Sequence, residues 1–110
     1  MRRIGLMVTL SCYAGVSTAN EAHSIISQMP EGKRNSTFAT FMQRSGEACG
    51  TVTRTFFQGF DSKWSAFWSV QCSNEKAFNV MIYDDSSGST RILDCKVLKA
   101  VAKMDCFKKF

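Results

Sequence analysis

The sequence predicts an α+β domain: N-terminal helices packed on a three- to four-stranded antiparallel meander, a short C-terminal helix and two disulfides. Three observations lead there. Apolar residues recur at helical spacing between Ala22 and Cys49. The period then changes to strict alternation between Ala66 and Tyr83. Of five cysteines, Cys12 lies in a start that reads as a targeting segment; the other four, Cys49, Cys72, Cys95 and Cys106, are an even set, which in a small exported chain reads as a disulfide framework.

The targeting segment comes first. Arg2 and Arg3 form a positive n-region, "IGLMVTL" and the residues to about Val16 form an apolar stretch, and "STA" ends it with small residues at Ser17 and Ala19. That order predicts a cleaved signal peptide, with the cut near Ala19–Asn20; an uncleaved anchor or a buried N-terminal strand is the alternative. The apolar stretch falls short of the roughly 20 residues a membrane span needs. The expected organisation is therefore 1–19 signal peptide, 20–35 N-terminal helix and linker, and 36–110 disulfide-stabilised α+β domain. The expected location is periplasmic or secreted.

Within the mature part, Asn20 is a helix N-cap. Ala22, Ile25, Ile26 and Met29 follow i, i+3, i+4, i+7, Pro30 stops the helix, and Glu31-Gly32 turns the chain. A second helix is expected from Asn35 or Ser36, with Phe38, Phe41, Met42 and Ser45 on one side, Ala48 and Cys49 a turn further on, and Gly50 as its stop unless Gly46 ends it sooner. Val52 to Phe60 has the threonine and aromatic content of a strand. Ala66, Trp68, Val70 and Cys72 alternate with Phe67, Ser69 and Gln71. After the "SNEK" turn, Phe78, Val80 and Ile82 alternate with Asn79 and Met81. "DDSSGS" is a second turn, with Gly88 available for positive φ. Thr90 to Cys95 alternates weakly. From Lys96 to Asp105, Val97, Leu98, Val101 and Met104 repeat as a short helix clipped by Cys95 and Cys106. Short loop closure favours Cys49–Cys72 with Cys95–Cys106.

The chemistry of the chain is less explicit. Without Arg2 and Arg3, the 14 basic residues fall to 12 against 9 acidic ones, a mildly basic balance of +3. No C-x-x-C or C-x-x-H pair supplies close-spaced zinc ligands, and no cofactor or metal is expected. His23 is the sole histidine. A surface or capping role is expected for it, because no partner residues for nucleophilic catalysis are evident. Asp84 and Asp85 lack the alternating ligands of a calcium loop and read as turn residues. Asn35-Ser36-Thr37 matches a glycosylation sequon, which has meaning only in a eukaryotic secretory pathway.

Two surfaces stand out. Between Val52 and Cys72 the chain carries Phe56, Phe57, Phe60, Trp64, Phe67 and Trp68. They cannot all face one core, so Phe57, Phe60, Trp64 and Phe67 are the candidate aromatic binding surface. Lys96, Lys99, Lys103, Lys108 and Lys109 form the candidate basic face. The basic face suits an anionic membrane surface or an acidic protein. It lacks the interleaved aromatics of a nucleic-acid groove, so nucleic acid is not expected as a partner.

From Cys49 onward, "CGTVTRTFFQGFD", "FWSVQCSN", "GSTRILDCKVL" and "CFKKF" make the chain resemble a group of small exported proteins of alphaproteobacterial type. The resemblance implies a periplasmic or secreted location and brings no activity with it. The order of helix, "GTVT" strand, aromatic strand, "AFNVMIY" strand and glycine turn is also similar to PepSY-like domains, which implies binding or inhibition of other exported proteins. The leading expectation is an exported protein-binding module, an interaction or inhibitor domain or an accessory subunit of a membrane complex. A small secreted hydrolase acting on an anionic polymer is the alternative.

Overall fold

The computed structural model describes residues 19–110; the signal-peptide expectation falls on residues outside these, apart from Ala19. The elements run α1 (Glu21–Ser27), α2 (Glu31–Arg44), β1 (Val52–Phe60), β2 (Ala66–Cys72), β3 (Ala77–Ile82), β4 (Thr90–Asp94) and α3 (Cys95–Ala102). The four strands form one antiparallel sheet in the order β1-β2-β3-β4, the meander that the short "SNEK" and "DDSSGS" turns require. The architecture is α+β as expected.

One face of the sheet is apolar. Trp68, Val70 and Cys72 of β2 stand opposite Phe57, Thr55 and Val52 of β1 on one side and Val80 and Phe78 of β3 on the other. Helices α1 and α2 cover them with Ile26, Phe38 and Met42, all buried. The Phe38 ring meets Trp68 at 5.5 Å between centroids. Burying side chains of this size stabilises the fold by about 1.5–3 kcal/mol each.

Two helix readings need correction. First, α2 begins at Glu31, not at Asn35 or Ser36, so Glu31-Gly32 is helix rather than turn. Pro30 stands at the N-cap with φ −59° and ψ 152°. A proline just before a helix needs no N–H there, and Glu31 complements the helix dipole. The Arg34 N–H then closes the first turn onto the Pro30 carbonyl at 2.9 Å. One proline both ends α1 and starts α2. Second, the inward face of α1 carries His23 with Ile26 and Ala22 of the expected set, and Met29 packs on the core just past its end, while Ile25 is 57% exposed. An i, i+3 pair suffices for a helix of two turns, and Ile25 falls on the outer side.

Helix α2 stops at the earlier glycine, Gly46, and does not run on to Gly50. Glu47 N–H donates to the Met42 carbonyl at 2.9 Å and Gly46 N–H to Gln43 at 3.1 Å, with Gly46 at φ +75°. This is the paired bonding of a Schellman stop, which needs a residue at ease in left-handed backbone.

Both disulfides form as the spacing suggested: Cys49–Cys72 across 23 residues and Cys95–Cys106 across 11. The first ties the chain entering β1 to the end of β2. The second clips α3 to the C-terminal segment. Each contributes about 3 kcal/mol by restricting the unfolded chain. They fit a protein of an oxidising compartment. Among the described residues, no helix is long and apolar enough to cross a membrane.

The other face of the sheet has a buried polar centre. Gln58 sits in a bulge of β1 and is buried, as are Ser69 and Asn79. The Gln58 amide donates to the carbonyls of Asp105 (2.7 Å) and Lys108 (2.9 Å), and its oxygen accepts from the Asn79 side chain (2.8 Å). Ser69 Oγ accepts from Phe107 N–H at 2.8 Å, and Phe110 N–H donates to the Gln58 carbonyl at 3.1 Å. The C-terminal "CFKKF" is thus bound across the sheet by the side-chain amide and backbone carbonyl of Gln58 and the Ser69 hydroxyl. Each of these groups would be costly to bury unpaired. Gly59, at φ +148°, makes room: a Cβ there would lie 2.8 Å from the Phe110 ring.

Candidate functional site

The turn between β1 and β2 presents the most distinctive surface feature. Trp64 is 53% exposed yet has φ +64°, a left-handed conformation that a bulky L-residue adopts only when its surroundings impose it. Those surroundings are on both sides of the turn. Asp61 Oδ1 accepts from Lys63 N–H and Ser65 N–H, each at 2.9 Å. Asp61 N–H donates to the Ser65 carbonyl at 3.0 Å, and Trp64 N–H to the Asp61 carbonyl at 3.1 Å. From outside the turn, Asn20 Nδ2 donates to the Trp64 carbonyl at 2.7 Å. The indole rests edge-on against Phe60 at 5.2 Å. An exposed tryptophan is therefore held in one backbone conformation.

Beside it lies a shallow cleft of about 430 Å³, lined by Asp61, Lys63, Met81, Tyr83, Asp84 and Asp85 among others. Its carboxylates outnumber its one ammonium. They also hold the structure: Asp84 Oδ1 accepts from Asn20 N–H at 2.6 Å, and Asp85 Oδ1 from Ser89 N–H at 3.0 Å. The Ser89 N–H and hydroxyl keep the Asp85 carboxyl below the usual carboxylate range. The aspartates at 84 and 85 do turn work, as their "DDSSGS" setting implied.

The other aromatic candidates are placed differently. Phe57 and Phe60 are half-buried against the apolar core. Phe67 points to the polar face and meets Phe110 edge-on at 5.3 Å. The Lys109 ammonium sits 4.9 Å from the Phe57 centroid and 5.7 Å from Phe56, a cation–π arrangement on β1. Of the four, Trp64 alone is largely exposed.

Lys96, Lys99 and Lys103 belong to α3 and its C-cap, while Lys109 lies over β1. Lys99 pairs with Asp105 at 2.8 Å on the surface. On α3, Val97 and Val101 are 47% and 73% exposed between these lysines.

His23 corrects the sequence reading most sharply: it is buried. Its Nδ1 accepts from Trp68 Nε1–H at 2.9 Å, and its ring lies within 5.6 Å of the Phe57, Phe60 and Trp68 centroids. This contact fixes the neutral tautomer with the proton on Nε2. Burial pushes its pKa below 6.5. With Nδ1 engaged by an indole, the ring is a core acceptor rather than a base beside a nucleophile. Among the described residues, no group of three or more His, Cys, Asp or Glu is placed to hold a metal ion. The sequon asparagine, Asn35, lies inside α2, with its side-chain oxygen buried and unpaired.

Asn20 was legible as a cap but not as the hub it is. It has no exposed surface, and its Nδ2 reaches both the Trp64 and Ile82 carbonyls while its Oδ1 accepts from His23 N–H.

No family model matches the chain, and neither curated proteins nor solved structures match it.

Proposed function

We propose that this is an exported domain that acts by binding a protein partner through the rim around Trp64. The observation that carries the reading is the backbone of Trp64: a costly left-handed conformation, held by bonds from Asn20 and Asp61, displays an indole to solvent. Burying that indole would serve stability, and its display serves contact. Tryptophan is enriched among residues that dominate interface energies, and a pre-ordered loop loses little entropy on binding. The carboxylates of the adjoining cleft favour a partner that sets a basic side chain beside an apolar pocket for the ring. Two disulfides suit such a module to a periplasmic or secreted setting.

The test is retention of a partner from the exported fraction of the native cells. Trp64→Ala abolishes retention and leaves the melting temperature nearly unchanged. Equal loss of folding, or undiminished retention, contradicts the reading.

One observation favours a second surface. Val97 and Val101 are exposed among Lys96, Lys99 and Lys103 on α3, the composition of a weak contact with anionic lipid. Binding to vesicles that is independent of their anionic lipid content counts against it. The hydrolase alternative has no comparable observation, since His23 is committed to Trp68.

A further inference from the structure

We propose that cleavage between Ala19 and Asn20 creates an α-ammonium group that forms an ion pair with the Asp84 carboxylate, and that the folded domain is built around this new N-terminus. The inference rests on the reading of residues 1–19 as an export signal and adds a structural role for its removal.

Three features of Asn20 converge. Its backbone nitrogen already lies 2.6 Å from Asp84 Oδ1 in a partly buried bond. An ammonium at that nitrogen keeps the hydrogen bond and adds a full positive charge beside the carboxylate, where solvent screens it less than on an open surface. Second, Asn20 has φ +58°. That torsion is restricted because the preceding carbonyl crowds the side chain. Once Ala19 is gone there is no preceding carbonyl, and the restriction lapses. Third, Asn20 is 0% exposed and its remaining polar groups are all taken: Nδ2 by the Trp64 and Ile82 carbonyls, Oδ1 by His23 N–H, and its carbonyl by Ser24 N–H. Ala19 is exposed but Asn20 is closed in by the fold, so a protease that needs the bond extended on both sides cuts before Asn20 docks.

The charges around the site point the same way. The β3–β4 turn contributes Asp84 and Asp85, α1 contributes Glu21, and the β1–β2 turn contributes Asp61 and Lys63. His23 is buried and turned toward Trp68. The N-terminus of α1 opposes a positive charge, but a short helix does so weakly, and the surrounding carboxylates outweigh it. Partial burial disfavours a charged amine, but a carboxylate in direct hydrogen-bond contact, with further carboxylates around it, acts more strongly the other way, so the ammonium form is favoured and the α-amine pKa rises above its ordinary value of about 7.7–8.0. Its stabilising contribution is complete below that ordinary value and is lost as pH rises through the raised one. Since Asn20 also holds the Trp64 carbonyl, the same anchor steadies the binding rim.

The experiment uses the exported product of the full-length chain. Intact mass is expected to show a chain starting at Asn20 with both disulfides closed. An NMR titration of its α-amine is expected to give a midpoint at least about one pH unit above that of the same chain denatured, an about tenfold preference for the charged form. Asp84→Asn is expected to return the midpoint to the ordinary value. An exported product that begins elsewhere, or one that begins at Asn20 with an unshifted amine, overturns the ion pair and leaves the export reading standing. A chain that retains residues 1–19 and is not exported overturns both. The titration of the unsubstituted chain decides the matter even if Asp84→Asn fails to fold.

Discussion

The two faces of the sheet are closed by opposite means. On one, Trp68, Val70, Phe78 and Val80 pack under two helices. On the other, Gln58 and Ser69 bind the backbone of the C-terminal segment through side-chain hydrogen bonds, and Asn79 holds the Gln58 side-chain oxygen. The first face is non-directional and tolerates neighbours that fit its volume. The second is directional, and each partner is specified by geometry. A polar stripe along a strand thus need not be a wet one; it can be a template for a segment that returns from far along the chain.

The difference can be probed from the largest expected effect downward. Trp68→Ala removes the centre of the apolar face and the donor to His23, and should cost about 3–5 kcal/mol in denaturant unfolding. A much smaller loss would mean that the helices do not depend on this face. Replacing Cys95 and Cys106 together by serine frees the C-terminal segment and should cost about 3 kcal/mol. The amides of Phe107 and Phe110 should then exchange hydrogen faster while those under the helices keep their protection. Uniform loss of protection would show that the two faces are one cooperative unit.

Gln58→Ala leaves the Asp105 and Lys108 carbonyls and the Asn79 amide without their partner, and should cost about 2–3 kcal/mol. A neutral result would mean that water substitutes for the glutamine and that the polar face is open. The pH response comes from the apolar side. His23 titrates lower folded than unfolded, because burial disfavours its charged form. Its contribution is complete above pH 6.5 and is lost as pH falls through the lowered folded value. His23→Gln, which can still accept from Trp68, should flatten the stability profile just below pH 6.5. An unchanged profile would assign the acid response elsewhere. Trp64→Ala should be the mildest, within about 0.5 kcal/mol, because the indole lies outside both faces.

The same contrast explains what could be read in advance. Ala66, Trp68, Val70 and Cys72, then Phe78, Val80 and Ile82, alternate visibly, so the apolar face and the meander were legible. So was the cysteine pairing, since each bridge closes a short loop, and so was Gly88, which takes φ +65° in its turn. The polar face was not. Gln58 binds carbonyls 47 and 50 residues away, and periodicity within a strand carries no sign of such a partner. His23 was misplaced for the same reason, its acceptor role being set by Trp68, 45 residues on. At the candidate site, the surplus of aromatics between Val52 and Cys72 was visible, but its division was not. Trp64 and Trp68 share a residue type and a neighbourhood, and only the left-handed turn, held from Asn20, separates display from burial.

The central claim, that Trp64 is displayed for a partner, is tested most directly by a photo-reactive residue at exposed position 63, beside the intact indole, and, as a control, at position 101 on α3. Both proteins are produced in the native cells and irradiated there. The account predicts one discrete protein adduct from position 63 in the exported fraction, competed away by excess unlabelled domain, lost with Trp64→Ala and missing from position 101. No adduct at position 63, or the same products from both positions, would contradict it.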